Sequence, residues 1–255
     1  MEADLTTCLL LAFVGLAAGF VDAVAGGGGL LTVPALLWAG LPPKLALGTN
    51  KLQSVCGTAL AVFHYGRAGL FHWRDLVWQL SVTASAASLG AFAVTRIEGE
   101  FLRQLVPVLL IAIAAFFWWK PQLGLTRQSA RISPITFGLL AGIGFGFYDG
   151  FFGPGTGSFW MVACILALGM DMRAATGHTK AMNLASNLGS LLVFIPAGHV
   201  HLQIALAMIA GQLVGARLGA GMVIARGSTW IRPIFLTVVI LLAIRLLWQQ
   251  WSGTE

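Results

Sequence analysis

Residues 19–29, GFVDAVAGGGG, and residues 146–157, GFYDGFFGPGTG, decide the fold of this chain. In each stretch an apolar segment carries an aspartate, Asp22 or Asp149, and then breaks at a group of glycines. Glycine is a poor helix former, so each group interrupts a helix. A charge and a helix break within apolar sequence are costly unless they line a cavity or meet a partner. The two stretches therefore predict paired broken helices inside a larger helical protein.

The composition indicates an integral membrane protein. Of the 255 residues, 58% are hydrophobic and 9% are charged, whereas a soluble domain carries about 25% charged residues. A single soluble domain has too much surface for its volume to bury so much apolar material. The net charge of +6 comes from basic residues that fall mostly at the ends of apolar segments, where they orient membrane helices. We therefore expect the lipid bilayer, and no nucleic acid, as a partner.

Ten apolar segments follow one another along the chain. Eight are long enough to span a bilayer, which takes about 20 apolar residues, and two are short segments that each follow a glycine break. The segments are residues 6–25, 30–40, 45–66, 74–96, 101–119, 134–152, 156–169, 174–196, 202–224 and 231–249. They predict an all-α protein with eight long spans and two short broken-helix segments.

These segments form two homologous repeats of about five helical segments each. Before the breaks, matching residues lie 127 positions apart, as Asp22 and Asp149 do, and after the breaks they lie 129 apart. The matches at the second separation are Gly40 with Gly169, Lys44 with Arg173, Gly48 with Gly177, Lys51 with Lys180, Gly69 with Gly198, His72 with His201, Gly90 with Gly219 and Arg103 with Arg232. We expect a first repeat over 1–119, a polar linker over 120–133 and a second repeat over 134–255.

The loop charges predict how the repeats are oriented. If all five segments of each repeat cross the membrane, the second repeat is inverted and most cations fall on one face, which the positive-inside rule makes cytoplasmic. That face carries Arg67, Arg74, Lys120, Arg127, Arg131, Arg173, Arg226 and Arg232. If the short segments do not cross, each repeat has four spans and the repeats run parallel, with the basic loops on both faces. We predict inverted repeats, a multi-pass protein of the cell inner membrane and a cytoplasmic linker at 120–133.

Five ionisable residues lie within apolar segments: Asp22, Lys51, Asp149, Lys180 and Arg217. Such residues usually face a cavity or a partner, because a charge in the bilayer interior costs at least about 2.5–3.5 kcal/mol. One isolated pair, such as Asp22 with Lys51, could be an internal salt bridge that only locks helices. An aspartate and a lysine recur at matched positions in both repeats, which favours a site near the pseudo-symmetry axis.

The glycine breaks and lysines together predict a site for a small anionic solute. A short helix that starts after a break points free N–H groups and its positive end at the site, and transporters with inverted repeats use this arrangement near the midplane. Polar side chains share helix faces with the lysines. The predicted substrate-binding residues are Asp22, Gly26, Gly27, Gly28, Gly29, Asn50, Lys51, Ser54, Asp149, Gly153, Gly155, Thr156, Gly157, Thr179, Lys180 and Asn183. We expect a transporter that works by alternating access.

The sequence contains no pattern typical of an enzyme, a metal site or a cofactor site. It has no HExxH and no GxSxG motif, and its three cysteines have no CxxC spacing. We therefore predict no catalytic residue, no metal ligand and no cofactor. An anion channel and a non-transporting membrane scaffold or accessory subunit stay open as alternatives. A coupling proton or sodium ion and a homo-oligomer are also left open.

Residues 19–29, followed by Val33-Pro34 and Gly48-Thr49-Asn50-Lys51, resemble the TauE/SafE sulfite exporter family of membrane permeases. Residues 149–157 are similar to the second signature of that family. The resemblance covers nearly the whole chain and implies transport of sulfite, an organosulfonate or another small organic anion across the bacterial inner membrane. It implies a site at the Asp-glycine breaks and the two lysines. The second repeat has Gly177-His178-Thr179-Lys180 at the matching place, so we expect chemically unequal half-sites.

Overall fold

The computed structural model describes residues 4–98 and 129–226, and these residues form eight α-helices. In chain order they are α1 (Leu5–Ala25), α2 (Gly29–Trp38), α3 (Pro43–Arg67), α4 (Trp73–Arg96), α5 (Pro134–Phe151), α6 (Thr156–Leu168), α7 (Met172–Phe194) and α8 (Leu202–Arg226). The two described ranges contain no β-strand. The prediction of an all-helical protein is confirmed for this part of the chain.

Each helix matches one predicted segment to within two residues at either end. The predicted segments 101–119 and 231–249, and most of the 120–133 linker, lie outside the described residues. Three helices, α1, α4 and α8, are long and apolar enough to cross a membrane. Helices α3, α5 and α7 have 25, 18 and 23 residues. Helices α3 and α7 are less apolar than α1 and α8, because they carry the lysines and the polar residues around them.

Short polar side chains and glycines set the ends of these helices. Asp4, Ser133 and Asp171 precede α1, α5 and α7, and each accepts a hydrogen bond from a backbone N–H in the first turn. Such caps satisfy donors that have no partner within the helix. Gly26 and Gly169 end α1 and α6 in the left-handed conformation, with φ of 76° and 66°, which glycine adopts without steric cost.

Each short helix folds back along the helix before it. The backbone N–H of Arg131, just before α5, donates to the carbonyl of Ala167 near the end of α6 at 2.8 Å. In the first half, Leu36 near the end of α2 packs in one buried cluster with Leu11 near the start of α1. The short helices have 10 and 13 residues, about 15–20 Å of helix against a hydrocarbon core of about 30 Å. The pairs α1–α2 and α5–α6 are therefore hairpins with a glycine break at the tip.

Helices α3 and α7 run antiparallel between these hairpins. A Cβ on Gly48, near the start of α3, would lie 3.2 Å from the Cβ of Phe194 at the end of α7. A Cβ on Gly177, near the start of α7, would lie 2.7 Å from the Cβ of Leu70, just after α3. The start of each helix thus meets the end of the other. This pair carries both lysines.

Glycines bring α8 against α1, with the two helices running in the same direction. A Cβ on Gly15 would lie 3.1 Å from the Met208 carbonyl carbon, and a Cβ on Gly219 would lie 2.7 Å from the Phe20 carbonyl oxygen. Both contacts are between main chains, which small residues allow in membrane helix pairs. Helix α5 packs along α4 in the same way, with Gly146 against the main chain of Thr83. These contacts hold each hairpin to a long helix of the other half of the chain.

Gly215→Ala should destabilise the protein, because the added Cβ would lie 2.7 Å from the backbone nitrogen of Phe20. Overpacking of this kind costs about 1–3 kcal/mol. Gly221→Ala on the same helix is the matched control, since a Cβ there would meet nothing within 4 Å. The measurement is thermal unfolding of the purified protein in detergent. Equal melting temperatures for the two variants would contradict the packing described here.

Candidate functional site

The tips of the two hairpins cross each other in the interior of the protein. A Cβ on Gly26 would lie 2.5 Å from the carbonyl carbon of Gly157, so only glycine fits at this crossing. The Ser158 hydroxyl donates to the Ala25 carbonyl at 2.9 Å and joins the two tips directly. Gly153 and Gly155 have φ of 96° and 83°, a region that favours glycine. The predicted glycine breaks therefore meet at one point.

The N-terminus of each short helix faces an aspartate of its own hairpin. The Gly28 N–H, at the start of α2, donates to Asp22 Oδ1 over a long 3.4 Å. In the second hairpin the Thr156 hydroxyl lies 3.2 Å from Asp149 Oδ1 and also donates to the Gly153 carbonyl. The positive end of a helix stabilises a nearby negative charge. The positive end of each short helix therefore already lies next to a carboxylate.

Lys51 of α3 forms a buried ion pair with Asp149 of α5. Its Nζ lies 2.6 Å from Asp149 Oδ1 and donates to Asn187 Oδ1 at 3.1 Å. The carboxylate of Asp149 also accepts hydrogen bonds from the hydroxyls of Thr156 and Ser186. The side chains of the two charged residues are 1% and 6% exposed. This pair has the excellent geometry and the extra hydrogen bonds that a buried pair needs to offset its desolvation.

Lys180 of α7 forms a second buried pair with Asp22 of α1, with fewer hydrogen bonds. Its Nζ lies 2.9 Å from Asp22 Oδ2, at an angle that makes no hydrogen bond. Asp22 has the long contact with the Gly28 N–H, and its side chain is 14% exposed. The second pair is therefore less tightly held than the pair of Lys51 and Asp149.

Both pairs join one half of the chain to the other. The simple salt bridge considered from the sequence, Asp22 with Lys51, is not the pairing in the structure: each aspartate takes the lysine of the other half. The cause is the crossing of the hairpin tips beside the antiparallel pair α3–α7. Arg217, the fifth ionisable residue in an apolar segment, lies exposed on α8 away from these pairs.

A small polar cavity lies where the hairpins, α3 and α7 meet. Its volume is about 20 Å³, which is room for about one water molecule. It is lined by Asp22, Gly26, Gly29, Asn50, Lys51, Ser54, Asp149, Gly153, Gly155, Thr156, Gly157, Asn183 and Asn187. All of these except Asn187 are among the predicted binding residues. Asn187 lies one helical turn after Asn183, on the same face of α7. The protein must change conformation before this space can hold a polyatomic anion.

Four predicted residues do not line the cavity. Gly27 and Gly28 form the turn before α2, and Lys180 is fully buried in its pair with Asp22. Thr179 is also buried.

Sequence reasoning missed two side chains of this region. Thr32 donates its hydroxyl to Asn50 Oδ1 and is fully buried. It stands one helical turn after Gly28, and that spacing could have placed it beside the break. Ser186, which holds Asp149, was visible in the polar run of α7 but carried no signal that set it apart. Within the described ranges, no cluster of histidine, cysteine and acidic side chains could hold a metal ion.

Known proteins are similar to this chain over most of its length. The family profile described as "Sulfite exporter TauE/SafE" matches residues 11–246. A "Probable membrane transporter protein" of Haemophilus influenzae is 39% identical over 250 residues, covering 98% of each chain. The "Probable membrane transporter protein ORF9" of Sinorhizobium sp is 44% identical over 241 residues, covering 93% of this chain and 92% of its own.

A third relative is also named as a probable membrane transporter. The "Probable membrane transporter protein YfcA" of Escherichia coli strain K12 is 40% identical over 241 residues, covering 94% of this chain and 90% of its own. No solved structure matches the chain significantly. With a profile match over most of its length and relatives that align almost end to end, this chain belongs to the sulfite exporter TauE/SafE family of membrane proteins.

Proposed function

We propose that this protein transports a small anion, such as sulfite, an organosulfonate or another small organic anion, across the inner membrane by alternating access. The observation that carries the proposal is the pair of buried Asp–Lys contacts where two broken helices cross. Buried charges in membrane proteins mark ion and substrate paths more often than they stabilise the fold. Unwound backbone at membrane depth is likewise tolerated where it is buried in protein or lines a cavity.

We further propose that the two halves are inverted repeats related by a pseudo-two-fold axis in the membrane plane. The constant offset between matched residues supports this, and so does the antiparallel packing of α3 and α7, which are matched helices. Each half would then contribute one hairpin that enters and leaves on the same face and three spans, of which the third is the segment predicted from the sequence at 101–119 or 231–249. That number is odd, so the second half is inverted even though the short helices do not cross.

The contacts at the helix ends support a basic cytoplasmic face. The Lys44 ammonium, at the start of α3, donates to the Thr95 carbonyl near the end of α4 at 2.8 Å, so these two ends share one face. The opposite ends carry Arg67 and Arg74, and the antiparallel α7 places Arg173 with them. By the positive-inside rule this second face is cytoplasmic. The 120–133 linker, which leads into the start of α5, belongs on the same side.

Lysine side chains and backbone N–H groups would bind the anion. In the proposed mechanism Lys51 and Lys180 exchange their aspartate partners for the oxyanion, and the starts of α2 and α6 supply N–H donors. Amide and hydroxyl groups of Asn50, Ser54 and Asn183 complete the coordination. Rocking of one hairpin against α3 and α7 would open the site to one face at a time. A water-sized cavity between the pairs fits an occluded state of such a carrier better than an open channel.

The double variant Lys51→Ala/Lys180→Ala should lose transport. Each charge-assisted hydrogen bond to the anion contributes about 1.5–3 kcal/mol, so each lysine is expected to change affinity about tenfold or more. The measurement is uptake and counterflow of labelled sulfite in proteoliposomes of the purified protein. Lys44→Ala is the control and should behave as wild type, because this lysine lies at the start of α3, outside the site. Transport by the double variant at the wild-type rate would refute the site.

The pair of Lys51 and Asp149 should show strong coupling in a double-mutant cycle. Asp149→Asn and Lys51→Met each leave a buried charge without its partner, which costs about 3–5 kcal/mol. The double variant Lys51→Met/Asp149→Asn removes both charges and should recover most of the thermal stability while remaining inactive in sulfite counterflow. Melting temperatures that fall additively would show that the two charges are not paired in the protein.

Equivalent loops should lie on opposite faces of the membrane. Ala68 and Ala197 are 129 residues apart and follow α3 and α7. In a background with alanine at Cys8, Cys56 and Cys164, Ala197→Cys should react with an impermeant maleimide in intact cells and Ala68→Cys should react only after lysis. Reaction of both in intact cells, or of neither, would indicate parallel repeats instead.

A further inference from the structure

The buried charges of the site cancel. Asp22 and Asp149 balance Lys51 and Lys180, and among the described residues no other charged side chain lines the cavity. An anion that enters adds one uncompensated negative charge to a low-dielectric interior, which is strongly unfavourable unless a positive charge comes with it. A site of this composition therefore binds a monovalent anion best when one of its carboxylates takes up a proton.

The two carboxylates are unequal candidates for that proton. Asp149 accepts hydrogen bonds from Lys51, Thr156 and Ser186, so three donors hold this carboxylate in place. Asp22 lies beside Lys180 without a hydrogen bond from it and has the long contact with the Gly28 N–H. Asp22 also lines the cavity and is the more exposed of the two. Water that reaches the cavity therefore contacts the Asp22 carboxylate, which is held by fewer hydrogen bonds than the carboxylate of Asp149.

Different residues at matched positions of the two halves account for the difference between the carboxylates. Ser186 and Asn187, which hold Asp149 and Lys51, correspond at the offset of 129 to Gly57 and Thr58. A Cβ on Gly57 would lie 2.6 Å from Nε2 of Gln212, so an amide from α8 fills the space where the other half has a serine. Within the described ranges, the Thr58 hydroxyl has no hydrogen-bond partner. The pair of Asp22 and Lys180 therefore lacks the supports of its counterpart.

Among the described residues, the polar and charged groups that face Asp22 come from four neighbouring helices. Helix α7 contributes Lys180, and α3 contributes Lys51 and Tyr65, both of which interact electrostatically with this carboxylate. Helix α8 contributes the neutral Gln212, whose main chain packs against Gly19 one turn before Asp22, and α2 contributes the Gly28 N–H. Once an anion occupies the lysines, Asp22 is a buried carboxylate without a counter-charge, and such a group binds a proton readily.

We propose that Asp22 is the proton-binding residue of the carrier and that each monovalent anion binds together with one proton. When the site is open to one face, hydronium in the water there transfers a proton to the Asp22 carboxylate, so that an O–H bond of hydronium breaks and one forms on Asp22. The Lys180 ammonium then exchanges this carboxylate for the anion. On the other side the anion leaves, the O–H bond breaks and the proton returns to water as Lys180 pairs with Asp22 again. Asp149 stays ionised and paired. This inference rests on the proposed transport function.

The test is calorimetric titration of the purified protein with hydrogen sulfite, and with methanesulfonate, whose charge does not change with pH. Titrations in buffers of different protonation enthalpy give the number of protons taken up per anion. The wild type should take up about one proton, and its affinity should fall about tenfold per pH unit once Asp22 is ionised in the free protein. Asp22→Asn should take up about none. The double variant Lys51→Met/Asp149→Asn is the control, because it removes one charge of each sign and leaves Asp22 paired with Lys180. It should bind the anion more weakly and should still take up about one proton per anion.

Several outcomes would overturn the inference. Anion binding by the wild type without proton uptake would refute it whether or not the variants fold, and so would binding that depends on sodium instead of pH. Anion binding without proton uptake by Lys51→Met/Asp149→Asn would assign the proton to Asp149 instead of Asp22. If neither anion binds and sulfite shows no counterflow, the proposed anion transport itself fails and this inference falls with it.

Discussion

The structure depends on two buried ion pairs, because each of its four buried charges needs a partner of opposite charge in a low-dielectric interior. An unpaired lysine or aspartate there would cost several kcal/mol. Each charge is paired with one from the other half of the chain, as Lys51 is with Asp149 and Lys180 with Asp22. The two halves are therefore held together at their centre by electrostatics as well as by packing. Separation of either pair requires something that compensates the charges, and in the proposed mechanism an anion with a proton would do so.

Glycine makes this arrangement sterically possible. The hairpin tips can cross only because Gly26 and Gly157 lack side chains, and the long helices approach each other through Gly15 and Gly219. A helix pair with larger residues would stand farther apart, and the aspartates at the tips would not reach the lysines on α3 and α7. The glycines thus serve two purposes, helix packing at the periphery and chain crossing at the centre.

The two ion pairs are held by different numbers of hydrogen bonds, so the two aspartates are not equivalent. A fully symmetric site would hold both aspartates equally, and neither would be preferred for exchange with solvent. Here Ser186 and Asn187 stabilise one pair, while glycine and an unpartnered threonine stand at the matched places near the other. In the proposed arrangement of two repeats, sequence divergence between the halves would separate a firmly held ion pair from an exchangeable one without any change in the fold.

The sequence by itself determined the helices, their breaks and most of the residues that line the cavity. Apolar length marks a membrane segment, glycine runs interrupt helices wherever they occur, and matched charges identify a site, so these features depend on local chemistry. The partner of each charge was decided only by the tertiary structure. Whether Asp22 meets Lys51 or Lys180 depends on α2 folding back along α1 and on α3 running antiparallel to α7, and both follow from contacts between residues far apart in the chain. Thr32 joined the site for the same reason, because its neighbour Asn50 comes from another helix.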